Sequence, residues 1–387
     1  MSDRRPAMLE QFGNLREKNM LAVKEAKEKG KKVIGTYCTF APQELILAAG
    51  AYPVTLCATK QEPIGEAEKV LPRNLCPLIK SSFGFAISDT CPYFHFADLI
   101  IAETTCDGKK KMFELMAKFK PLHMMELPQG QANKDSKLLW VKEVEKTKKY
   151  LEEFLQVEIS EEALKNAIEL MNRERSVLKE VHELNKIKPA PLTGLEMLMV
   201  LWMKGFMIDK EEGIDMAEKL ISEVKGLVEQ GVYPVGEEAP RILLTGVPVG
   251  LGSEKVITLL EEAGASVVVL ENCTGYKPLH TNVQNHGEIT SLEAIAEKYL
   301  GMPCSCMSPN EARFELIGQM VEDYQVDGVV DLTWIGCHTY NIESYSLKEY
   351  LKEMKGIPFI QVETDYSSSD IEQLKVRLEA FLELLHK

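Results

Sequence analysis

The chain has 387 residues, 45% hydrophobic and 27% charged, with a formal net charge of −14. This length suggests two or three domains, and the acidic surface disfavours nucleic acid and anionic membranes as partners. The N-terminus has no apolar core segment, and the most apolar stretch, residues 192–207, is interrupted by Glu196 and Lys204. We therefore expect no signal peptide and no membrane span, but a cytoplasmic protein whose thiols stay reduced.

The first third of the chain alternates predicted strands and helices. An amphipathic helix over residues 5–30 is ended by Gly30. Strands are then predicted in KKVIGTYC, AYPVTL, HFADLIIA and KPLHMMELP, with helices in PQELILAAG and KKMFELMAKF. This alternation is typical of a parallel sheet covered by helices. We assign residues 1–135 to an N-terminal α/β domain with a leading helix.

The apolar residues recur with a helical period over residues 136–235, which we assign to a helical connector. Ser160, followed by two glutamates, is a plausible helix start there. Its Met-rich stretch LEMLMVLWMKGFM favours flexible core filling over a binding surface. The α/β pattern then restarts, with strands in RILLTGVP, ASVVVLENC, VDGVVDLTWIGC and IPFIQVETD. We assign residues 236–387 to a C-terminal α/β domain.

The two α/β segments resemble distant repeats of each other. VIGTYCTFAPQELILAAGAYPVTLC parallels ILLTGVPVGLGSEKVITLLEEAGASVVVLENC, and FADLIIAETTCD parallels VDGVVDLTWIGCH. The predicted fold class is therefore α/β, with two similar open, mainly parallel-sheet, Rossmann-like domains joined by a helical segment. Ligands of such sheets bind at the carboxyl ends of the strands, so we expect a site in the cleft between the two domains.

The nine cysteines are informative, because clustered thiols in a reducing compartment are typical of metal ligands or redox groups. In the first half, Cys38 and Cys106 follow predicted strands, and Cys76 opens a helix. In the second half, Cys273 and Cys337 follow predicted strands. Cysteines that only pack a core are expected within strands and helix faces instead. This placement favours metal binding at one edge of each sheet.

The remaining cysteines differ in their surroundings. Cys304 and Cys306 lie in MPCSCMSPN, a turn before a helix, and belong with the metal candidates. Cys57 lies in the apolar run PVTLCAT, which favours packing, and Cys91 in SDTCPYFHF is interpreted as an unused thiol. Structural zinc sites usually show CxxC pairs, which this chain lacks. Widely separated thiolates can instead hold an iron–sulfur cluster.

At these residues the chain resembles a known family. GTYCTFAPQELILAAGAYPV, LCPLIKSSFG and DLIIAETTCDGKKKMFELM are similar to the 2-hydroxyacyl-CoA dehydratase and benzoyl-CoA reductase subunit family. The resemblance covers nearly the whole chain. In the second half, ENCTG and the segment from YLGMPCSCMSPN to DLTWIGCHTYNIES resemble the double-cubane cluster branch of that superfamily.

The resemblance implies an [8Fe-9S] double-cubane cluster, formed by two [4Fe-4S] cubanes that share one sulfide. It implies Cys38, Cys76 and Cys106 as ligands of the first cubane. For the second it implies Cys273, Cys337 and one of two further residues, Cys304 or Cys306, a choice that the C-x-C spacing leaves open.

The resemblance also implies an activity and partners. The activity is reduction of small molecules, with acetylene as the model substrate, in an anaerobic metabolism. The partners are a second copy in a homodimer and a separate ATP-hydrolysing iron–sulfur reductase that supplies low-potential electrons. Two alternatives stay open. The chain could be a 2-hydroxyacyl-CoA dehydratase subunit with a single [4Fe-4S] cluster, or a non-catalytic electron carrier.

Other candidate features carry weaker signals. His338, directly after Cys337, could donate protons to a reduced substrate or could simply bond a backbone carbonyl; Tyr340 and Glu343 are weaker candidates of the same kind. The Gly-rich segment at 245–255 lacks the spacing of a P-loop or a dinucleotide fingerprint, so we interpret it as a tight turn. No ATP site is therefore predicted in this chain.

Overall fold

The computed structural model describes residues 5–284 and 287–385. Within them the chain forms two four-stranded sheets in which all paired strands are parallel. Helices surround both sheets and fill the segment between them. The fold class predicted from the sequence is confirmed. The domain boundaries at 135 and 235 remain a prediction.

Each half of the chain contributes one sheet. The strands of the first are β1 (Val33–Thr36), β2 (Tyr52–Thr55), β3 (Leu99–Glu103) and β4 (Leu122–Met125). Those of the second are β5 (Arg241–Gly246), β6 (Ser266–Leu270), β7 (Gly328–Trp334) and β8 (Phe359–Thr364). The spatial orders are β2-β1-β3-β4 and β6-β5-β7-β8. The two sheets therefore share one topology, as the repeat predicted.

The described α-helices fall into three groups along the chain. The first half contains α1 (Ala7–Gly13), α2 (Leu15–Glu28), α3 (Gln43–Ala48), α4 (Ile64–Ala67), α5 (Pro77–Ser88), α6 (Pro92–Phe96) and α7 (Asp107–Met116). The connecting segment contains α8 (Lys134–Leu155), α9 (Glu161–Glu183), α10 (Gly194–Met203) and α11 (Lys210–Glu229). The second half contains α12 (Lys255–Glu262), α13 (Ser291–Leu300), α14 (Glu311–Asp323), α15 (His338–Lys355) and α16 (Ile371–Leu385).

Local chemistry explains where the main elements begin. The central strands β1, β3, β5 and β7 are buried along their whole length, as expected for parallel sheets covered on both faces. The Ser160 side chain caps α9 by accepting from the backbone N–H of Ala163, which confirms the predicted start. Thr193 and Glu196 form a reciprocal capping box at α10.

Some helical features differ from the sequence expectation. The leading helix is interrupted at Asn14, so α1 and α2 are separate. The short helices α4 and α6 were not predicted, and neither was the long helix α15, which begins directly after Cys337. Its first turns read HTYNIESYS, a polar run with several residues of modest helix propensity. Tertiary packing of Leu347 and Leu351, both buried, supports this helix.

The Met-rich stretch packs inside the molecule. Met197, Met203 and Met207 are buried in a core cluster that spans both halves, which confirms the interpretation as core filling. None of the helices in the described residues is both long enough and apolar enough to cross a bilayer.

Candidate functional site

The carboxyl ends of strands from both sheets line one cavity of about 480 Å³. Tyr37 and Thr105 follow β1 and β3 of the first sheet, and Val247 follows β5 of the second. In the first sheet the chain builds outward to one side from β1 to β2 and to the other side from β3 to β4, and the second sheet does the same from β5 and from β7. Open α/β sheets bind ligands at such a point, which lies between β1 and β3 and between β5 and β7. The cavity therefore lies where the sequence predicted a cleft.

Eight of the nine cysteines line this cavity. They are Cys38, Cys57, Cys76, Cys106, Cys273, Cys304, Cys306 and Cys337. The ninth, Cys91, lies at the start of the short helix α6 and is not among the lining residues. Every cysteine predicted as a ligand thus reaches the same space, together with Cys57, which the sequence assigned to packing.

Helix starts position three of these thiols. Cys76, Cys106 and Cys337 occupy the residue immediately before α5, α7 and α15. The free backbone N–H groups and the positive dipole end of a helix stabilise thiolate sulfur. The placement of Cys337 depends on α15, a helix that sequence patterning missed.

The thiols of Cys76 and Cys337, which come from different halves of the chain, lie close enough to shift each other's pKa. This interaction raises the pKa of Cys76 and lowers that of Cys337 to about 7. Gly336 makes the approach possible. It has φ +76°, and a Cβ there would lie 2.6 Å from the carbonyl oxygen of Asn74.

A second thiol group lies in the C-terminal half. The thiols of Cys273 and Cys306 lie close enough to Cys304 to lower its pKa. The ammonium of Lys277 lowers it further, and the hydroxyl of Tyr340 lies 3.9 Å from the Cys304 sulfur. Negative charge in this trio is therefore centred on Cys304.

The N-terminal thiols surround one lysine. Burial raises the pKa of Cys38 to about 12, and the nearby ammonium of Lys109 opposes that shift. Lys109 also interacts electrostatically with Cys57, Cys106 and Glu103. Cys57 itself donates to the carbonyl oxygen of Tyr37 at 2.7 Å. Each half thus places one lysine beside the thiols, the half-buried Lys109 in the first half and the buried Lys277 in the second.

The predicted division into two sets of three ligands remains a prediction. The thiol contacts themselves do not follow the division between halves, because Cys76 meets Cys337. Both members of the C-x-C pair, Cys304 and Cys306, lie among the lining residues. The geometry therefore leaves the choice between them open.

The three proton-donor candidates have different surroundings. His338 is exposed at the first position of α15 and lines the cavity. Tyr340 is buried, accepts a hydrogen bond from Lys277 at 3.0 Å and lies beside Cys304. Glu343 is instead engaged by Arg313 and Asn310 behind the site. His338 and Tyr340 are thus close enough to the thiols to act on a bound molecule.

The Gly-rich segment after β5 forms a turn whose backbone N–H groups donate to side chains within the same turn. The N–H of Gly250 donates to Ser253 at 3.1 Å, and that of Gly252 donates to Glu254. A Cβ at Gly250 would lie 2.4 Å from the ring of Trp202. These glycines therefore serve a tight turn packed against the connector.

Behind Cys304 lies a network of fully buried charges that sequence reasoning missed. The carboxylate of Glu271 pairs with Lys277 at 3.2 Å and with Arg313 at 3.5 Å, and all three side chains are 0% exposed. Thr245 donates to Glu271 at 2.6 Å. Charged residues in helices and loops are normally solvated, so nothing in their local pattern indicated burial.

The donor set fits a polynuclear cluster better than a single ion. Among residues 5–284 and 287–385, no three His, Cys, Asp or Glu side chains converge as they would around one metal ion. In an iron–sulfur cluster each thiolate meets a different iron, so the ligands lie farther apart. Thiols spread over the wall of one cavity, with two lysines to balance negative charge, match that requirement.

The fold and the site define a class of protein: paired parallel α/β sheets around a thiol-lined cavity. The family model described as 2-hydroxyglutaryl-CoA dehydratase, D-component, matches residues 38–385. The match covers most of the chain, so the chain belongs to this family. The predicted membership of the 2-hydroxyacyl-CoA dehydratase and benzoyl-CoA reductase superfamily is thereby confirmed.

Relatives cover the chain almost from end to end. The chain is 48% identical over 380 residues to the Escherichia coli (strain K12) protein named "Putative dehydratase subunit YjiM", with 98% of each chain covered. It is 24% identical over 370 residues to the (R)-phenyllactyl-CoA dehydratase beta subunit of Clostridium sporogenes, covering 94% of each. It is 23% identical over 422 residues to a benzoyl-CoA reductase subunit of Thauera aromatica, covering 98% of this chain and 96% of that one.

These relatives are named as subunits of dehydratases and a reductase, and so as parts of multi-component enzymes. Their names support the dehydratase-subunit alternative more directly than the double-cubane reductase. The finer assignment of cluster type and reaction therefore belongs to the proposal that follows.

Proposed function

We propose that this chain is an iron–sulfur oxidoreductase that holds a double-cubane cluster in the thiol-lined cavity and reduces small molecules. One observation carries the proposal: thiols from both halves of the chain line one cavity. A single cubane needs ligands from only one half, whereas a cluster of two bridged cubanes needs both. The cluster supplies low-potential electrons at the cavity wall.

The chain's own residues hold and insulate that group. In line with the resemblance, Cys38, Cys76 and Cys106 hold one cubane, and Cys273, Cys337 and either Cys304 or Cys306 hold the other. Lys109 and Lys277 place positive charge beside the thiolates. Since thiolate ligands and sulfides add negative charge, these two ammonium groups stabilise the loaded site.

His338 and Tyr340 are the residues best placed to deliver protons to a substrate. Both line the cavity, and His338 also remains exposed to solvent. A group that touches both the cavity and water can be reprotonated after each turnover. Tyr340 has no such direct contact with water, so we assign the role to His338 first.

Partners complete the proposed activity. The Gly-rich turn is packed and lacks a Walker-type loop, so we assign ATP hydrolysis to a separate iron–sulfur reductase that delivers electrons. The family resemblance adds a homodimer, and a reducing cytoplasm would keep the thiols available. Purified chain that hydrolyses ATP alone, or that light scattering shows only as a monomer, would contradict these parts of the proposal.

The second candidate is a 2-hydroxyacyl-CoA dehydratase subunit with one [4Fe-4S] cluster. The names of the relatives favour it, because they describe subunits of acyl-CoA dehydratases. In that case the thiols of one half would be structural. The third alternative, an electron carrier without a substrate, is disfavoured by the cavity beside the thiols, which a carrier does not need.

Iron and acid-labile sulfide measured per chain under anaerobic conditions test the proposal. We expect about eight irons for two cubanes and about four for a single one. About four irons per chain would instead support the dehydratase subunit with a single cluster. Protein reconstituted with iron and sulfide that still binds neither would overturn both.

A further inference from the structure

A second group of residues in the same cavity is cationic and belongs to the helices rather than to the strand ends. Its members lie on α9, after α10, at the start of α11 and on α13. They are Arg175, Lys204, Lys210 and Lys298. We call these four residues the cationic wall. The proposed function assigns them no role.

The thiols and the cationic wall are surrounded by different charges. The main positive charges that act on the thiols come from Lys109 and Lys277. The charges that act on Lys204 come instead from Glu174, Lys210 and Arg175. A molecule that spans the cavity could therefore meet the cluster at one end and this wall at the other.

The two carboxylates of the wall are already engaged. Glu44 accepts from Arg175 Nη1 and from the Tyr299 hydroxyl, both at 2.8 Å. Glu174 pairs with Lys210 at 3.1 Å. With four cations against two carboxylates, the wall carries an excess of two positive charges when all groups are ionised. Glu174 also acts on Lys204, but its carboxylate is paired with Lys210.

Two donors of the wall are unused. Arg175 is 4% exposed, and its Nε has no hydrogen-bond partner among the described residues. The ammonium of Lys204 likewise makes no hydrogen bond to any part of the chain that the structure describes, although it lines the cavity. An unpartnered buried donor is costly, so Arg175 Nε is arranged for a ligand, and Lys204 lies half-buried in the same cavity.

We propose that the cationic wall binds the carboxylate of a small organic acid, with Lys204 and Arg175 Nε each donating to one oxygen. Two single donors match two oxygens. A phosphate would present more oxygens than these two donors satisfy. Met171, Leu201 and Trp202 also line the cavity, so a short apolar chain on the acid is accommodated.

The electrostatics of the wall favour binding of an anion. Burial lowers the pKa of Lys204 to about 8 and that of Lys298 to about 7. A carboxylate beside them would favour their charged forms. The inference deepens the proposed function by naming its substrate class, and to that extent rests on it. Binding of the acid can nevertheless be measured without turnover.

Thermal unfolding with added butyrate tests the site, with sodium chloride at equal ionic strength and the uncharged butyramide as comparison ligands. We expect butyrate to raise the Tm of the wild-type chain and the other two to have no such effect. In Lys204→Met the apparent affinity should fall at least about tenfold. Lys204→Arg should retain binding, and Lys219→Met, on the exposed face of α11, should match the wild type.

The outcomes are distinct. If butyrate acts no more strongly than chloride, or protects Lys204→Met as well as the wild type, the inference is wrong. Stronger protection by inorganic phosphate than by butyrate would overturn the carboxylate assignment. Iron content is measured on the same preparations. A protein with full iron content that does not bind butyrate would contradict this inference alone. A protein that binds butyrate but contains no iron would contradict only the proposed cluster.

Discussion

Cys76, in front of α5 in the N-terminal half, and Cys337, in front of α15 in the C-terminal half, line the same cavity, where their thiols shift each other's pKa. The N-termini of two helices from different halves of the chain thus meet at the cavity. The contact ties the halves together at the cavity and makes the geometry of each cysteine dependent on the other half.

Gly336 is the residue that permits this contact, so we expect Gly336→Ala to disturb it. A methyl group would lie 2.6 Å from the Asn74 carbonyl oxygen, at φ +76°. We predict a loss of unfolding free energy above about 1 kcal/mol, and reduced iron content. Gly356→Ala is the matched control, since φ there is +65° with no atom within 4 Å. Equal effects of both variants in denaturant melts and iron assays would contradict the prediction.

Cys337→Ser tests the assignment of ligands to the two cubanes. Because a cluster that lacks one protein ligand is usually labile, we expect this variant to lose about half or all of its iron. Of Cys304→Ser and Cys306→Ser, only one should behave in the same way. Cys57→Ser should lose none. Full iron and activity in Cys337→Ser would leave the chain with a single cluster.

Lys109 is expected to raise the reduction potential of the bound cluster. Its ammonium lies among Cys38, Cys57 and Cys106, and positive charge favours the more negative, reduced state. Lys109→Met should therefore lower the potential by some tens of millivolts, as anaerobic EPR titration would show. Lys110→Met removes an exposed lysine paired with Asp107 and should cause a much smaller shift. An unchanged potential in Lys109→Met would exclude this role.

His182 makes stability depend on pH. Burial lowers its pKa to about 3, and its Nε2 accepts from the Leu270 N–H at 3.2 Å. The unfolded chain therefore binds more protons below about pH 6.5, and stability present above that pH is lost as the pH falls towards 3. His182→Gln should flatten this dependence in urea melts between pH 7.5 and 5. His123, with a pKa near 4, keeps part of the slope; an unchanged slope would refute the assignment.

Much of the fold could be predicted from local pattern. Continuous apolar runs bounded by turns gave all eight described strands, and the repeat between halves predicted a shared topology. The longest helix that was not predicted is α15, because HTYNIESYS has no clear helical period. Its position depends on packing of Leu347 and Leu351 into the core, which a local pattern does not contain.

The site was predictable in part for a similar reason. Strand ends are visible in sequence, so cysteines just after them could be assigned to one edge of a sheet. Cys57, equivalent in the repeat to Cys273, was nevertheless interpreted as packing, although it lines the cavity. The repeat alignment itself contained the signal that would have placed it there.

The sequence by itself determined the two parallel sheets and the positions of the thiols along the chain, because both follow from short-range periodicity and from where strands end. Only the tertiary structure decided which thiols meet and which charges are buried. Cys76 reaches Cys337, and Arg175 and Lys204 face the cavity, through packing between segments more than a hundred residues apart. A lysine in an amphipathic helix has the same local pattern whether it faces water or an enclosed site, so its partners are fixed by the fold alone.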